Sequence, residues 1–527
     1  MYENENMKSS LYITYKHLWC LCTVVALFAC KKSGKGGLTP DVIAGSPVYP
    51  APPAMWMQPA GGQPYYSSGF AGDPMPFYDN GVYHIFYLHD GDWTSYGYHP
   101  IHTFETNDFS RYQYKGRVMP FGNADQPDTK IGTGSVIKAG DKYYMYYTYS
   151  DEKNWAFGKS RECIMYATST DLKSWTKHYG YTIYSPEGFT DLYNFRDAEV
   201  IYNKEANEYL MLVASRYNNR AVITQFTTKD PAADNWTYKG LFYTADVDNY
   251  VMMECPNLFK FGNYWYLVFS ENGAHPMVHY RYSNSMNGPW TKPANDILDG
   301  SYFYAGKTAG NETERYLVGW TPRNADNGDN GDRLWGGNLV SHQLSQNPDG
   351  TLNVKLPAAT EKRISDPIAP RTVFKDAAIQ QDQENIIFKT AADPAYIVFD
   401  QVSGKKMITA TITGADINAQ FGLAFGMDKS FGQGNRYILD INGVAKRIAS
   451  VYMNGGAART NAAVNYSLAP GREYQLKVVI DGTVCTLYID DKVALTSRIY
   501  SLSNSFWGIY AANSNLQVKN LKLYQIN

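Results

Sequence analysis

The stretch Val251–Phe269 reads VMMECPNLFKFGNYWYLVF, and its pattern decides the fold. A carboxylate, Glu254, comes first, a Cys-Pro turn follows, and the run from Tyr264 onward is aromatic and apolar. Such runs, bounded by turn residues, are typical of β-strands. The stretch therefore predicts a strand of aromatic residues with a carboxylate ahead of it.

The aromatic run recurs along the chain. Each copy is a polar turn, a tyrosine and four to six apolar residues, and the tyrosines are Tyr83, Tyr143, Tyr209, Tyr264 and Tyr316. They follow one another at intervals of 52 to 66 residues. This period suits one four-stranded blade per repeat, and five such blades close into a ring. The sequence therefore predicts an all-β fold with a five-bladed β-propeller.

The residues about ten positions upstream of each tyrosine are the candidate site. They are Gly72-Asp73-Pro74, Gly132-Thr133-Gly134-Ser135, Phe195-Arg196-Asp197, Glu254-Cys255-Pro256 and Gly306-Lys307. Equivalent positions on successive blades surround one axis. We therefore expect Asp73, Asp197 and Glu254 to share one pocket with Ser135 and Lys307.

Three carboxylates around one pocket indicate cleavage of glycosidic bonds. One carboxylate attacks or activates water, and a second, held protonated by a raised pKa, protonates the leaving oxygen. The third holds sugar hydroxyls and tunes its neighbours through like-charge coupling. Any one of these residues alone is an ordinary turn or ion-pair residue; their recurrence at nearly one offset favours the catalytic interpretation.

The segments Asp73-Pro74, Arg196-Asp197 and Glu254-Cys255-Pro256, in this order, resemble glycoside hydrolase family 32, the levanases, inulinases and invertases. The resemblance covers roughly residues 65–357 and includes Tyr304-AGKT and Trp335-GGNLVSHQL. It implies a retaining enzyme acting on fructofuranosides. It also implies Asp73 as nucleophile, Glu254 as general acid/base and Asp197 as stabiliser of the transition state.

The chain departs from the family pattern around Asp73. The family has Asn-Asp-Pro-Asn-Gly there, whereas this chain has Gly72 before Asp73-Pro74 and Met75-Pro76 after it. Asp197 is followed by Ala198 in place of Pro, and Asn257 replaces an Asp. The flanking amides line the terminal sugar site in the family, so their loss bears on which sugar is bound.

Several residues around the carboxylates are candidates for binding substrate. Trp93, Trp320 and Trp335 fall in loops or strand ends near the expected mouth, where an indole either stacks on a sugar or packs in the core. Arg196 either binds hydroxyls or neutralises Asp197. Cys255 is expected to be a small packed residue, not a nucleophile. No cofactor or metal is implied, since the carboxylates lack the spacing of a calcium loop.

A second β region follows the propeller. Alternating runs separated by Gly, Asp and Asn turns continue to Asn527 and predict a lectin-like, jelly-roll β-sandwich. The predicted divisions are a signal peptide at 1–30, a flexible tether at 31–60, the propeller at 61–357, a linker at 358–376 and the sandwich at 377–527. The sandwich is expected either to shield the flank of the propeller or to bind carbohydrate.

The N-terminus has the features of a targeting segment. Two lysines precede the apolar run Leu18–Ala29, which ends at Cys30 and resembles a bacterial lipobox. The alternative is an ordinary signal peptide that contains a cysteine. The first interpretation predicts a lipoprotein of the bacterial cell envelope, held to the outer membrane only through a lipid on Cys30 and facing the periplasm or the surface.

Composition excludes one class of partner. The net charge is -2 and charged residues make up 19% of the chain, which gives no electrostatic footprint for nucleic acid. The expected partner is an oligo- or polysaccharide. Two alternatives stay open beside a fructan hydrolase: an inverting arabinanase- or xylosidase-like propeller enzyme, and a surface protein that binds glycan without cleaving it. A purely structural protein would not explain the carboxylates.

Overall fold

Strands make up 59% of the residues that the structure describes, which confirms the predicted all-β class. The computed structural model describes residues 47–53, 55–57, 65–67, 69–91, 94, 96–245, 248–273, 276–382, 385–390, 393–427, 435–500 and 505–527. The predicted signal peptide, Cys30 and Trp93 lie outside these residues. Among the described residues, three short helices interrupt the strands: an α-helix at Ala358–Glu361 and 3₁₀ helices at Glu152–Phe157 and Ala325–Asn327. In the described part of the chain, no helix combines the length and the apolar character needed to cross a membrane.

The N-terminal β region consists of antiparallel groups of strands that follow one another along the chain. A small pair, β1 (Met55–Met57) and β2 (Tyr65–Ser67), precedes β3 (Phe70–Asp79), β4 (Val82–Asp90), β5 (Ile101–Thr106) and β6 (Gln113–Met119). The second and third groups are β7 (Ile131–Ala139), β8 (Lys142–Ser150), β9 (Glu162–Ser169) and β10 (Thr176–Lys177), then β11 (Phe195–Asn203), β12 (Glu208–Tyr217), β13 (Arg220–Thr228) and β14 (Thr237–Thr244). The last two are β15 (Met253–Phe261), β16 (Tyr264–Glu271) and β17 (Val278–Ser283), then β18 (Tyr304–Gly310), β19 (Arg315–Asn324), β20 (Arg333–Gln346) and β21 (Leu352–Lys355).

The first strand of each group faces the middle of this region. Strands β3, β7, β11, β15 and β18 contact one another in that cyclic order, and β18 contacts β3 again. The last group joins the first at one residue pair, Gly337 with Ala71, so these strands count as one eight-stranded sheet. The predicted aromatic repeats are the second strands, β4, β8, β12, β16 and β19. The arrangement is consistent with a β-propeller followed by a β-sandwich.

Two seven-stranded sheets form the C-terminal sandwich. Its strands are β22 (Thr372–Lys375), β23 (Ile379–Asp382), β24 (Asn385–Phe388), β25 (Ala395–Val402), β26 (Lys406–Thr413), β27 (Gln420–Met427), β28 (Arg436–Asn442), β29 (Arg447–Asn454), β30 (Ala457–Asn465), β31 (Tyr474–Asp481), β32 (Val484–Ile489), β33 (Val493–Arg498), β34 (Ser505–Ala512) and β35 (Gln517–Gln525). One sheet has the order β22-β25-β34-β27-β28-β29-β30, and the other β23-β24-β35-β26-β31-β32-β33. Alternate residues of both sheets, Phe421 and Leu476 among them, fill the core between them.

The second sheet of the sandwich also packs against the N-terminal β region. Met407, Val479 and Tyr488 on its outer face share an apolar cluster with Phe303 and Val340. Where both faces of this sheet are covered, a strand is buried along its whole length, as β32 is. The sandwich therefore covers the flank of the N-terminal region, one of the two roles expected for it.

The segments on either side of the N-terminal region are held at this junction. In the stretch predicted to be a tether, the backbone N–H of Val48 donates to Asp481 at 2.7 Å, and Tyr49 is buried. In the stretch predicted to be a linker, Ile368 forms a bridge to Leu523 of the last strand, and Ile364 forms one to Ile526 just after it. All these residues belong to one compact unit, residues 41–527.

Candidate active site

A β-bulge interrupts the first strand of every group, each time near the start of the strand. The pairing shifts between Gly72 and Met75, Ile131 and Gly134, Arg196 and Glu199, Glu254 and Asn257, and Tyr304 and Lys307. Each shift leaves two residues unpaired, and such bulges re-aim the side chains next to them. Asp73 and Asp197 are first bulge residues with φ of 41° and 64°, a left-handed conformation that side chains rarely adopt.

The bulges show that the three carboxylates do not share one repeat position. Asp73 and Asp197 occupy the position that Cys255 occupies in its own strand. Glu254 lies one residue earlier, at the position of Arg196 and Tyr304. The predicted offset was therefore only approximate, and the consequence is chemical, because Arg196, Glu254 and Tyr304 become neighbours around the ring.

Asp73, Asp197 and Glu254 line one pocket of about 180 Å³. Its wall also includes Arg196 and Trp335, both predicted substrate-binding residues. The structure thus brings together five of the residues selected from the sequence, from four different groups of strands. Further lining residues that the sequence did not single out are His99, Lys130, Arg161 and Glu162.

Glu254 is held by donors on three sides. Its Oε1 accepts from Arg196 Nε at 3.0 Å, Arg196 Nη2 at 2.6 Å and Asn272 Nδ2 at 2.7 Å, and its Oε2 accepts from the Tyr304 hydroxyl. Arg196 also pairs with Glu162 at 2.7 Å. Burial disfavours the charged guanidinium, but Glu162, Glu254 and Asp197 outweigh it and hold the pKa of Arg196 above its ordinary value. Arg196 therefore neutralises carboxylates, one of the two roles expected for it.

The two aspartates lie where ionisation is costly. Burial, reinforced by the charges of Asp197 and Glu254, raises the pKa of Asp73 to about 8, although Trp320 Nε1 donates to its Oδ1 at 2.9 Å. Burial and the charge of Glu254 likewise raise the pKa of Asp197 to about 7, against the opposing effects of Arg196 and the backbone N–H of Cys255. The free site therefore retains protons that isolated carboxyl groups would have lost at neutral pH.

Trp320 contacts Asp73 but does not line the pocket. Its indole is 5% exposed and packs with Cys255 and Ala305 while it bonds Asp73. It is a positioning residue for Asp73 in this structure and does not offer a face to the pocket. Cys255 itself is buried, and burial raises the pKa of its thiol well above the ordinary value, as expected for a packed residue.

Ser135 and Lys307 do not line the carboxylate pocket, contrary to the sequence prediction. Both line a separate cavity of about 360 Å³. Ser135 Oγ accepts from the backbone N–H of Val200 at 2.9 Å, and Lys307 pairs with Glu199 at 2.9 Å. Both residues come after the bulge of their strand, so they lie further along it than the residues around the carboxylates.

Tyr304 and Asn272 are site residues that sequence reasoning missed. Tyr304 directly precedes the bulge of its strand, as Glu254 does in the preceding repeat. Aligning the strands on their bulges, instead of on the repeated tyrosines, would therefore have found it. Asn272 follows the end of β16 at Glu271 and has no such repeat signal.

The departure from the family pattern at Gly72 has a steric cause. A Cβ atom at Gly72 would lie 2.4 Å from Cη2 and Cζ2 of Trp335. Trp335 in turn stacks on His99, with ring centroids 4.2 Å apart and planes at 16°. Burial lowers the pKa of His99 to about 4, so the stacked imidazole is neutral at pH 7. An aromatic wall thus stands where the resemblance implies an amide side chain.

Gly72→Ala is expected to lower stability by about 1–3 kcal/mol, because its Cβ overlaps a packed ring, and to lower activity by displacing a pocket wall. Adding Trp335→Ala should return part of the stability, giving a coupling of about 0.5–3 kcal/mol in a double-mutant cycle measured by urea unfolding. Gly180→Ala is the matched control, since its Cβ would meet nothing within 4 Å. Additive effects of the two substitutions would contradict the steric explanation.

The raised pKa of Asp73 predicts how stability depends on pH. From its ordinary value of 3.8 to about 8, the folded state holds a proton on Asp73 that the unfolded chain has released. The free energy of unfolding therefore falls as pH rises through this window. Asp73→Asn removes the penalty, so its gain in melting temperature over wild type should grow from pH 4 to pH 8 and then level off. A gain that is constant across the range would contradict the shift.

A cluster of carboxylates in one pocket, beside a cation and aromatic rings, is an arrangement that glycoside hydrolases use. Comparison with known families agrees. Residues 67–341 match the glycosyl hydrolases family 32 N-terminal domain, and residues 350–523 match a family 32, BT1760-like, C-terminal domain. The chain belongs to glycosyl hydrolase family 32.

Individual relatives are distant in sequence. The chain is 24% identical over 370 residues to sucrose-6-phosphate hydrolase of Escherichia coli, a match that covers 65% of this chain and 72% of that protein. It is 25% identical over 272 residues to a levanbiose-producing levanase of Geobacillus stearothermophilus, covering 47% of this chain and 65% of the levanase.

Solved structures share the fold at lower identity. The sucrose-6-phosphate hydrolase of Lactobacillus gasseri superposes with a TM-score of 0.66 at 18% identity, covering 87% of this chain and 91% of that one. The β-fructofuranosidase of Aspergillus kawachii gives 0.67 at 15% identity, covering 90% and 94%. The likeness therefore extends over both β regions.

Proposed function

We propose that this family 32 enzyme cleaves fructofuranosidic bonds in fructans or fructo-oligosaccharides with retention of configuration. The observation that carries the proposal is the single pocket lined by Asp73, Asp197 and Glu254. Family membership and relatives named as a levanase and as sucrose-6-phosphate hydrolases support a fructoside as substrate.

In the first step, the Asp73 carboxylate attacks the anomeric carbon of the fructosyl unit. The glycosidic bond breaks, and its oxygen takes the proton of the Glu254 carboxyl group, which leaves a fructosyl ester on Asp73. Asp197 accepts hydrogen bonds from sugar hydroxyls. Trp320 fixes the attacking group, because its indole N–H occupies Asp73 Oδ1 at 2.9 Å and leaves Oδ2 to react.

In the second step, the Glu254 carboxylate removes a proton from water, the water oxygen bonds to the anomeric carbon, and the ester bond to Asp73 breaks. The hydrogen bonds from Arg196, Asn272 and Tyr304 hold the Glu254 side chain in place for this step.

The scheme requires Asp73 to be ionised when it attacks. Burial and like charge keep a proton among the aspartates near neutral pH. Hydroxyls of the bound sugar that donate to Asp73 and Asp197 favour their ionised forms, so Asp73 is a carboxylate when substrate is bound. The positive charge of Arg196 lowers the free-energy cost of holding ionised carboxylates in a buried pocket.

We also infer that the N-terminal β region is a five-bladed propeller and the C-terminal region a jelly-roll sandwich. The cyclic contacts of β3, β7, β11, β15 and β18, and one bulge in each of them, support five blades around one axis. In this scheme the carboxylates lie at one end of the axial channel, and Ser135 and Lys307 lie further along it. The proposed domains are 61–357 and 377–527, joined by 358–376.

Purified protein offered levan, inulin, sucrose and arabinan tests the proposed function. We expect release of fructose or fructo-oligosaccharides from at least one of the fructosides and none from arabinan. Cleavage of arabinan alone would favour the inverting alternative. Binding of fructan without any cleavage would favour the glycan-binding alternative.

We propose, finally, that Cys30 carries a lipid that anchors the enzyme to the cell envelope. The lipobox-like run that ends at Cys30 supports this. Incorporation of a labelled fatty acid by wild type but not by Cys30→Ser tests it.

A further inference from the structure

A second groove opens on the same end of the N-terminal region as the carboxylates. It has a volume of about 470 Å³ and is lined by Trp155, the segment 190–193, Asn218 and Asn219. Trp155 lies in the helix after β8, segment 190–193 precedes β11, and Asn218 and Asn219 form the turn after β12. Strand β11 begins with Phe195, followed at once by Arg196 and Asp197, so the groove and the carboxylate pocket are neighbours along the chain.

Arg161 joins the groove to the carboxylate pocket. Its side chain lines that pocket, while its guanidinium lies over the ring of Tyr193, 5.5 Å from the centroid. Its backbone N–H donates to Leu192 at 2.7 Å. A chain leaving the carboxylates past Arg161 would therefore reach the ring of Tyr193 next.

The groove offers aromatic faces with polar neighbours. The rings of Trp155 and Tyr193 meet at 4.6 Å and 61°, and Tyr193 is 54% exposed. A ring that only filled a core would be buried. Aromatic faces beside the side-chain amides of Asn218 and Asn219 suit a sugar ring, which presents C–H bonds to the ring face and hydroxyls to the amides.

The floor of the groove is hydrogen-bonded to the carboxylate cluster. Asp191 accepts from the backbone N–H of Tyr193 at 2.9 Å and from the Asn194 side chain, and it pairs with Arg216 at 3.3 Å. The Asn194 side-chain oxygen accepts from Arg196, which bonds Glu254. A floor held in this way binds a ligand with little loss of its own freedom.

We propose that this groove is a distal subsite that holds a further sugar unit of a fructan chain, stacked on Trp155 and Tyr193. The inference rests on the proposed function and deepens it, because it makes a chain of several units the preferred substrate. The carboxylate pocket, at about 180 Å³, is the smaller of the two spaces. A substrate as short as sucrose occupies only that pocket and gains nothing from the groove.

Trp155→Ala tests the proposal through substrate length. We expect kcat/KM on levan or inulin, whichever the wild type cleaves, to fall about tenfold through the loss of one stacking contact, with kcat/KM on sucrose unchanged. Phe157→Ala is the matched control, because Phe157 lies in the same helix and is 77% exposed. It should change neither rate. Tyr193→Ala repeats the test from the other side of the groove.

The possible outcomes distinguish a failure of the subsite proposal from a failure of the proposed function. Equal losses on long and short substrates in both variants would mean that the groove only supports the pocket, which overturns the subsite. Unchanged rates on long fructans would overturn it as well. Failure of the wild type to cleave any fructoside, long or short, would instead overturn the proposed function.

Discussion

Glu254→Gln is expected to reduce kcat on an unactivated fructan by about 10²–10⁴-fold, because the leaving oxygen then departs without a proton. Asp73→Asn should cost at least as much, since the amide cannot form the ester. Both changes keep the volume of the side chain; Arg196 and Asn272 can still donate to the Gln carbonyl, and the Tyr304 hydroxyl can accept from the Gln amide. The measurement is kcat for sugar release by wild type and both variants from the same batch of substrate.

Rescue by azide distinguishes the two roles. On an activated fructoside, whose leaving group departs without a proton, breakdown of the ester is the slow step of Glu254→Ala. Azide needs no general base, so it should accelerate this step and give a fructosyl azide of retained configuration. With Asp73→Ala, azide attacks the anomeric carbon directly and the product should have inverted configuration. Trp93 and Cys30 lie outside the described residues and do not enter this test. Retained configuration from the Asp73 variant, or wild-type rates in either isosteric variant, would contradict the assignment of nucleophile and acid/base.

Asp299→Ala is expected to lower the free energy of unfolding by about 3–5 kcal/mol, since it leaves several buried donors unpaired. Asp299 and His342 belong to the N-terminal region, are fully buried, and lie 3.0 Å apart. Thr496 of the sandwich donates to Asp299 from its backbone at 2.7 Å and from its hydroxyl at 2.5 Å. Tyr488 of the sandwich bonds the other nitrogen of His342 at 2.9 Å.

Urea unfolding measures this effect, with Asp141→Ala as control because Asp141 is an exposed turn residue and should change stability by no more than about 0.5 kcal/mol. Because the lost contacts join two β regions, we expect the unfolding of Asp299→Ala to separate into two transitions. A single transition with the midpoint of wild type would show that the apolar contacts of Phe303 and Val340 hold the junction alone.

Much of the fold was predictable because β-strands produce residue patterns that are visible in short stretches of sequence. Alternation, aromatic runs and turn residues indicate strands residue by residue, and the five tyrosine repeats are the second strands of the five groups. The convergence of the carboxylates was predictable from the same repeats, because residues at nearly equivalent places in repeated units come together. Asp73, Asp197, Glu254 and Arg196 line one pocket for this reason, and Trp335 of β20 lines it with them.

The finer placement of side chains was not predictable in the same way. Each bulge shifts the side-chain alternation within a few residues, so an alignment on Tyr264 and its counterparts places Glu254 only to within one position. The same shift separates Ser135 and Lys307 from the carboxylates and puts them at another cavity. The position that Tyr304 shares with Glu254 follows from the bulges alone.

The sequence by itself determined an all-β chain, two β regions, the order of the strands and the three carboxylates, because these depend on local alternation and on repetition. Only the tertiary structure decided what surrounds the carboxylates. Trp335 fills the space beside Gly72, more than 260 residues away in sequence, and His99 stacks against it. Contacts between residues so distant in the chain depend on how whole sheets pack, and no local pattern records them.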